Sequence, residues 1–159
     1  MVKASAPKLS DQEFASLAEF RYQIRLFLGF SLEAAEVAGI HPQQHQLLLA
    51  VRGMQEKQKP TVAAIAERLQ IRHNSAVELA ERCLAEGLLQ KTNDEEDRRK
   101  VVLHITAEGE RILSQLSRAH LEELRWRGPE LIKALQNTLE IIGISENEQA
   151  IGTRSKQGK

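Results

Sequence analysis

The chain has 159 residues, 42% hydrophobic and only 4% aromatic, which suits one domain or a small domain with appended helices and is too apolar for a disordered chain. Its 22 lysines and arginines are balanced by 22 aspartates and glutamates, so a uniformly basic coat for indiscriminate nucleic-acid binding is excluded and a local basic feature is not. One cysteine, Cys83, cannot make an internal disulfide, and the longest apolar runs, 26–30 and 47–51, fall far short of the about 18–20 residues that span a bilayer.

Ser10-Asp11-Gln12-Glu13 has the spacing of a capping box, a hydroxyl followed three residues later by a glutamate, and opens a first helix that ends near Gly39. Phe14, Leu17, Arg21, Ile24, Leu28 and Ala35 form one stripe with a basic intruder, while Phe20, Phe27 and Phe30 lie elsewhere on the cylinder. Apolar groups on more than one side imply more than one neighbour. Pro42 suits the first turn of a second helix, closed by Gly53. After a polar connector, 55–60, residues 61–69 read as a short amphipathic helix with Val62, Ile65, Ala66 and Leu69 on one face. A break at 70–73 precedes a helix from Asn74 to about Glu86, terminated by Gly87.

The period then changes from helical to alternating. Strands are expected over 88–92 and 101–105, flanking a charged loop, 93–100. Thr106 can cap a further helix bearing Ile112, Leu113, Leu116, Leu121 and Leu124. Gly128-Pro129 should interrupt it, because proline lacks the amide donor and disfavours helix in the residue before it. A last helix would carry Leu131, Leu135, Leu139 and Ile142, and residues 143–159 read as a frayed tail.

Two short helices joined by a tight turn are a helix-turn-helix, in which the first braces the second and the second presents its N-terminal side chains to the major groove. A hairpin that follows, the wing, can reach the backbone or the minor groove. At this point the sequence resembles the MarR-type winged-helix transcription regulators over about residues 17–139. The stretch Asp97-Arg98-Arg99-Lys100-Val101-Val102-Leu103-His104-Ile105-Thr106, then Glu108-Gly109, looks like the family's wing signature, and Glu86-Gly87-Leu88-Leu89 like its recognition-helix exit. Two positions depart from the pattern: Gln70 stands where the turn often has glycine, and Cys83 where leucine is usual.

The expected fold is mainly α with a small β-hairpin wing, a winged helix-turn-helix with N- and C-terminal dimerisation helices. Residues 10–40 would form the N-terminal dimerisation helix, 41–106 the DNA-binding domain, 107–142 the C-terminal helices that complete the dimerisation region, and 143–159 a flexible tail. The resemblance implies a cytoplasmic homodimer that binds double-stranded DNA at a pseudo-palindromic operator, represses transcription, and is released by a small anionic or phenolic effector. The alternative is a winged-helix protein-interaction module without specific DNA binding.

The second reader helix can also be read residue by residue. If Ala76, Leu79, Ala80 and Cys83 face inward, Asn74, Val77, Glu78 and Glu81 face out, with Arg72, His73 and Ser75 at the helix start. Asn pairs with adenine, Arg with guanine, Glu accepts from cytosine, and Val meets a thymine methyl. The competing structural roles are an ion pair from Glu78 to Arg82, four residues on, and helix capping by Asn74 or Ser75. Arg98, Arg99 and Lys100 follow four acidic residues, which taken alone is a solvated turn. By resemblance, Asp97 holds Arg99 so that its planar, weakly hydrated guanidinium enters a minor groove.

Other motifs carry less. His41 and His45 share the four-residue spacing of a helical metal site, but no third ligand is near, so capping and surface roles are expected and no metal or cofactor. Cys83 falls on the inward face, as a small core hydrophobe would. No phosphate loop or nucleophile elbow appears, and no catalytic activity is expected. Arg21, Tyr22 and Arg25, within about a turn of one another, could meet an anionic effector, pair across a dimer, or snorkel to solvent. Residues 1–7 lack an apolar signal-peptide core, and no membrane contact is expected.

Overall fold

The structure, a computed structural model, describes residues 8–54 and 58–143. The order is α1 (Asp11–Val37), α2 (Pro42–Met54), α3 (Val62–Leu69), α4 (His73–Ala85), β1 (Leu89–Asn93), β2 (Val101–Ile105) and α5 (Ala107–Ile141). The chain is mainly helical, with one antiparallel hairpin. It parts into two units: residues 30–121, and the stretch of α1 up to Gly29 with that of α5 from Glu122 onward.

The 30–121 unit has an aliphatic core. Leu47, Leu48 and Val51 of α2, Ile65 of α3, Cys83 of α4, Leu103 of β2 and Leu116 of α5 are its largest fully buried side chains. Thr61 caps α3, its hydroxyl accepting the Ala64 N–H at 3.3 Å. The turn to α4 is made by Gln70 in the left-handed conformation (φ 54°), which a side chain adopts at a cost of about 1 kcal/mol. Its own amide helps to hold it there, Nε2 donating to the Glu67 carbonyl at 2.7 Å.

Strands β1 and β2 pair from Leu89↔Ile105 to Asn93↔Val101. The segment before α3 adds a short third partner, through a bridge between Thr61 and Val102 and a 3.0 Å bond from the Leu103 amide to the Pro60 carbonyl. Thr106 ties the hairpin to α5: it accepts the Gly109 N–H at 3.1 Å and donates to the Gly87 carbonyl at 2.6 Å. Gly109 is obligatory there, since a Cβ would lie 2.2 Å from the Leu88 carbonyl oxygen.

In the other unit the capping box forms: the Ser10 N–H donates to the Glu13 carboxylate at 2.7 Å and the Glu13 N–H to the Ser10 hydroxyl at 3.2 Å. That backbone bond, then the Ser10 hydroxyl, holds the Glu13 carboxyl below its ordinary pKa. Helices α1 and α5 meet through a 2.9 Å contact between the Ser16 and Thr138 hydroxyls. Among the described residues of this unit only Ala134 and Thr138 are buried, while Phe14, Leu17, Leu28, Leu124, Trp126, Ile132 and Leu135 are exposed.

Several expectations are corrected. Gly53 does not close α2, which continues to Met54; an interior glycine costs only about 1 kcal/mol, and buried Val51 and Met54 hold that turn to the core. The hairpin's first strand begins one residue later than expected, at Leu89. Gly128-Pro129 does not interrupt α5, which runs through Pro129 as one helix of 35 residues. Proline removes one helical bond there, and both Pro129 and Arg125, whose carbonyl loses its partner, are exposed, so water can satisfy it. Of the expected tail, residues 144–159 lie outside the described residues.

Candidate nucleic-acid interface

Helix α4 turns Ala76, Leu79, Ala80 and Cys83 into the core and exposes Arg72, His73, Asn74, Ser75, Val77, Glu78 and Glu81. The capping expected of Asn74 or Ser75 does not occur: Arg72 is the N-cap, and its side chain makes no cap bond. Among the described residues no side chain caps the amides of the first turn, which lies on the exposed face. The expected Glu78–Arg82 ion pair is also absent, because Arg82 donates to the Glu78 backbone carbonyl at 3.5 Å instead. Among the described residues no ion pair takes up the Glu78 carboxylate, whereas Glu81 is engaged by Lys91 of β1 at 3.0 Å.

The wing loop has an internal skeleton. The Asp94 side chain is only 5% exposed; Oδ1 accepts the amides of Glu96 and Asp97, each at 2.9 Å, and Oδ2 lies 2.9 Å from Lys59 Nζ. The Lys59 contact first, then the Asp97 amide, draws the Asp94 carboxyl down to a pKa of about 2. The loop closes on itself through Asp94 N–H to Lys100 O at 2.9 Å and Lys100 N–H to Asp97 O at 2.8 Å. Asp97 Oδ1 in turn accepts the Arg99 amide at 3.1 Å and its Nε at 3.4 Å, while Lys100 Nζ stands 3.9 Å from Oδ2. The Arg99 side chain is 94% exposed, so Asp97 grips the Nε edge and leaves the outer nitrogens facing solvent. Arg98 is exposed beside it.

Helices α3 and α4 and the hairpin surround a cavity of about 340 Å³, whose apolar floor includes Val62, Leu84 and Val101. His73 and Val77 from the reader helix line it together with Lys91, Arg99 and Lys100 from the hairpin. Residues expected separately for base reading and for wing contact therefore share one face.

Other predicted positions fall elsewhere. Arg21, Tyr22 and Arg25 are exposed on α1, outside this unit. His41 is exposed and its Nδ1 accepts the Gln43 amide at 3.3 Å, a capping role. The surface role expected of His45 is wrong: it is 3% exposed, its ring 4.7 Å from that of His120. Among the described residues no group of three metal-ligating side chains forms. Cys83 is fully buried, and desolvation, then Glu86, pushes its thiol up to about 11, away from a reactive thiolate. Lys59, Lys91 and Asp94 were not anticipated. Asp94 had a signal, since an Asp bonding amides two and three residues on is a common turn device. The partners of the two lysines depend on tertiary folding.

The model of the MarR family matches residues 38–100, which spans α2 to the wing loop. No curated protein matches the chain. Among solved structures, AbsC, a MarR family transcriptional regulator from Streptomyces coelicolor, is 18% identical with a TM-score of 0.69, over 92% of this chain and 99% of that one. A MarR family protein from Bacillus stearothermophilus is 20% identical with a TM-score of 0.61, over 93% of each chain. A MepR mutant from S. aureus, bound to an oligodeoxyribonucleotide, is 18% identical with a TM-score of 0.58, over 94% of this chain and 96% of that one. At these identities the likeness establishes the fold.

Proposed function

We propose, from a chain whose residues 38–100 match the MarR family model, a sequence-specific regulator that binds double-stranded DNA as a homodimer on a pseudo-palindromic operator and represses transcription. The observation that carries this reading is the shared face: His73 and Val77, exposed on α4, line one cavity with Arg99 and Lys100 of the wing, while Asn74, Ser75 and Glu78 are exposed on the same helix and Arg98 in the wing loop. The first-turn amides of α4 and Arg72 suit phosphates, Asn74 and Val77 suit base edges, and Arg99 suits a narrow minor groove. MepR, whose structure holds an oligodeoxyribonucleotide, has the same fold.

The homodimer rests on the second unit. Helical segments that bury only Ala134 and Thr138, with Trp126 83% exposed and Phe14 57% exposed, carry surplus apolar surface of the kind that marks an interface. Two-fold pairing through α1 and α5 places two readers on one duplex, about one helical turn apart. Arg21, Tyr22 and Arg25 are the proposed contacts for a small anionic or phenolic effector, whose binding would release the operator.

Selection of bound sites from random duplex DNA tests the reading, and a symmetric motif is the expected outcome. On that motif Arg99→Ala should weaken all related sites alike and lower the salt slope by about one phosphate-equivalent, whereas changes at Asn74 or Val77 should alter base preference. Absence of enrichment, or an Arg99→Ala variant that binds as tightly as wild type, refutes it. Sedimentation at micromolar concentration should show a dimer; a stable monomer removes the two-half-site arrangement.

A further inference from the structure

We infer that Lys59, in the connector before α3, is the positioning residue of the wing: through Asp94 it fixes the loop that aims Arg99, without touching DNA itself. This rests on the DNA-binding reading above and names a residue that the reader helix and the wing signature leave out.

The contacts form a chain. Lys59 Nζ sits 2.9 Å from Asp94 Oδ2 and 3.3 Å from Glu96 Oε2. The other Asp94 oxygen accepts the amides of Glu96 and Asp97, which sets the direction in which the backbone delivers Asp97. Asp97 then holds the Arg99 amide and Nε. Each step is a charge-assisted bond, the stronger class of hydrogen bond. Asp94 has almost no access to solvent, so water cannot readily replace the ammonium if it is removed, and the carboxylate must protonate or turn outward. The outward turn releases the two amides, and protonation weakens their bonds, because a neutral carboxyl oxygen is a poorer acceptor than a carboxylate. Glu96 is 87% exposed and contributes little by comparison.

Lys59 is held in register by the backbone as well as by its side chain. The neighbouring Pro60 carbonyl accepts from Leu103, and Thr61 bridges Val102, so the connector runs beside β2. Thr61 also caps α3, which packs against α4. Lys59 therefore stands where a displacement of the reader helices would reach the wing.

The test uses the full chain and the DNA motif recovered by selection, with Lys59→Gln, Lys59→Arg, Asp94→Asn, Arg99→Ala and the Lys59→Gln/Arg99→Ala double variant. Binding is measured across a salt series, and amide exchange is followed at Glu96 and Asp97. Lys59→Gln should weaken binding by about threefold to tenfold and speed exchange at both amides, Asp94→Asn should reproduce it, and Lys59→Arg should restore both readouts. In the Arg99→Ala background Lys59→Gln should cost less than about twofold, because the two act in series. Full additivity, with a second phosphate-equivalent lost from the salt slope, identifies a direct phosphate contact and overturns the inference, as does a Lys59→Gln variant with wild-type exchange and affinity. If no motif is recovered, or Arg99→Ala binds as wild type, the DNA reading falls and takes this role with it. If Arg99→Ala is impaired and Lys59→Gln is not, only the role of Lys59 falls.

Discussion

Acid should destabilise the 30–121 unit through His45. The imidazole is 3% exposed, and its Nδ1 has no hydrogen-bond partner among the described residues. Burial, then the charge of the neighbouring His120, lowers its pKa from 6.5 to about 4. His120 is well held, Nδ1 donating to the Leu116 carbonyl at 2.7 Å and Nε2 lying 2.9 Å from the Ser31 hydroxyl. Between those two pKa values the unfolded chain binds a proton that the native one excludes, so stability rises with pH. The contribution is complete above about 6.5 and is lost as pH falls toward 4. At about 1.4 kcal/mol per unit, a fall of that size amounts to at most about 3 kcal/mol, and relaxation around the charged ring brings it to the order of 2 kcal/mol. Urea unfolding from about pH 4.5 to pH 8 should show this slope in wild type and a flatter profile in His45→Leu. The variant also removes the orphaned nitrogen, so it should be the more stable protein at the acid end. Parallel profiles for the two proteins refute the assignment.

Three further outcomes follow from local geometry. Gly109→Ala should lower stability by on the order of 3 kcal/mol in urea unfolding, in spite of alanine's helix propensity, because the new methyl meets the Leu88 carbonyl at 2.2 Å and Ile105 Cγ2 at 2.8 Å. Cys83→Ser should cost about 1–2 kcal/mol, since it buries a hydroxyl in a fully buried, aliphatic site; peroxide should leave wild-type DNA binding unchanged, and loss of binding that the variant prevents contradicts the core role. Ser10→Ala should cost about 1 kcal/mol and appear as faster amide exchange confined to the first turn of α1, the turn that the capping box closes.

The reader and the wing were legible because their signals are local. The helical period of 61–69 and 74–86 follows from which faces must be buried, and the structure buries Ile65, Ala66, Leu79 and Cys83 accordingly; the strand at 101–105 forms as expected, but it buries Val102 as well as Leu103, because the segment at Thr61 pairs beside Val102. What could not be read is decided by distant neighbours. Pro129 looked like a terminator because a proline within a helix costs about 3 kcal/mol. Beyond it, however, Ala134 and Thr138 are buried and Thr138 reaches Ser16, contacts that require α5 to continue. His45 gave the pattern of a surface residue, since its burial is set by His120 on another helix.

Charge shows the same division with more consequence. A tally of the wing loop suggests a turn whose charges cancel, and a tally of the chain gives zero, neither of which favours binding a polyanion. The structure commits particular acids to particular cations: Glu81 to Lys91, Asp94 to Lys59, and Asp97 to Arg99 and Lys100. Among the described residues neither Arg72 nor Arg98 takes an ion pair, and Arg99 is held by one edge only. The potential that DNA meets is therefore set by which carboxylates are already occupied, and net charge, which weighs every carboxylate alike, cannot report it.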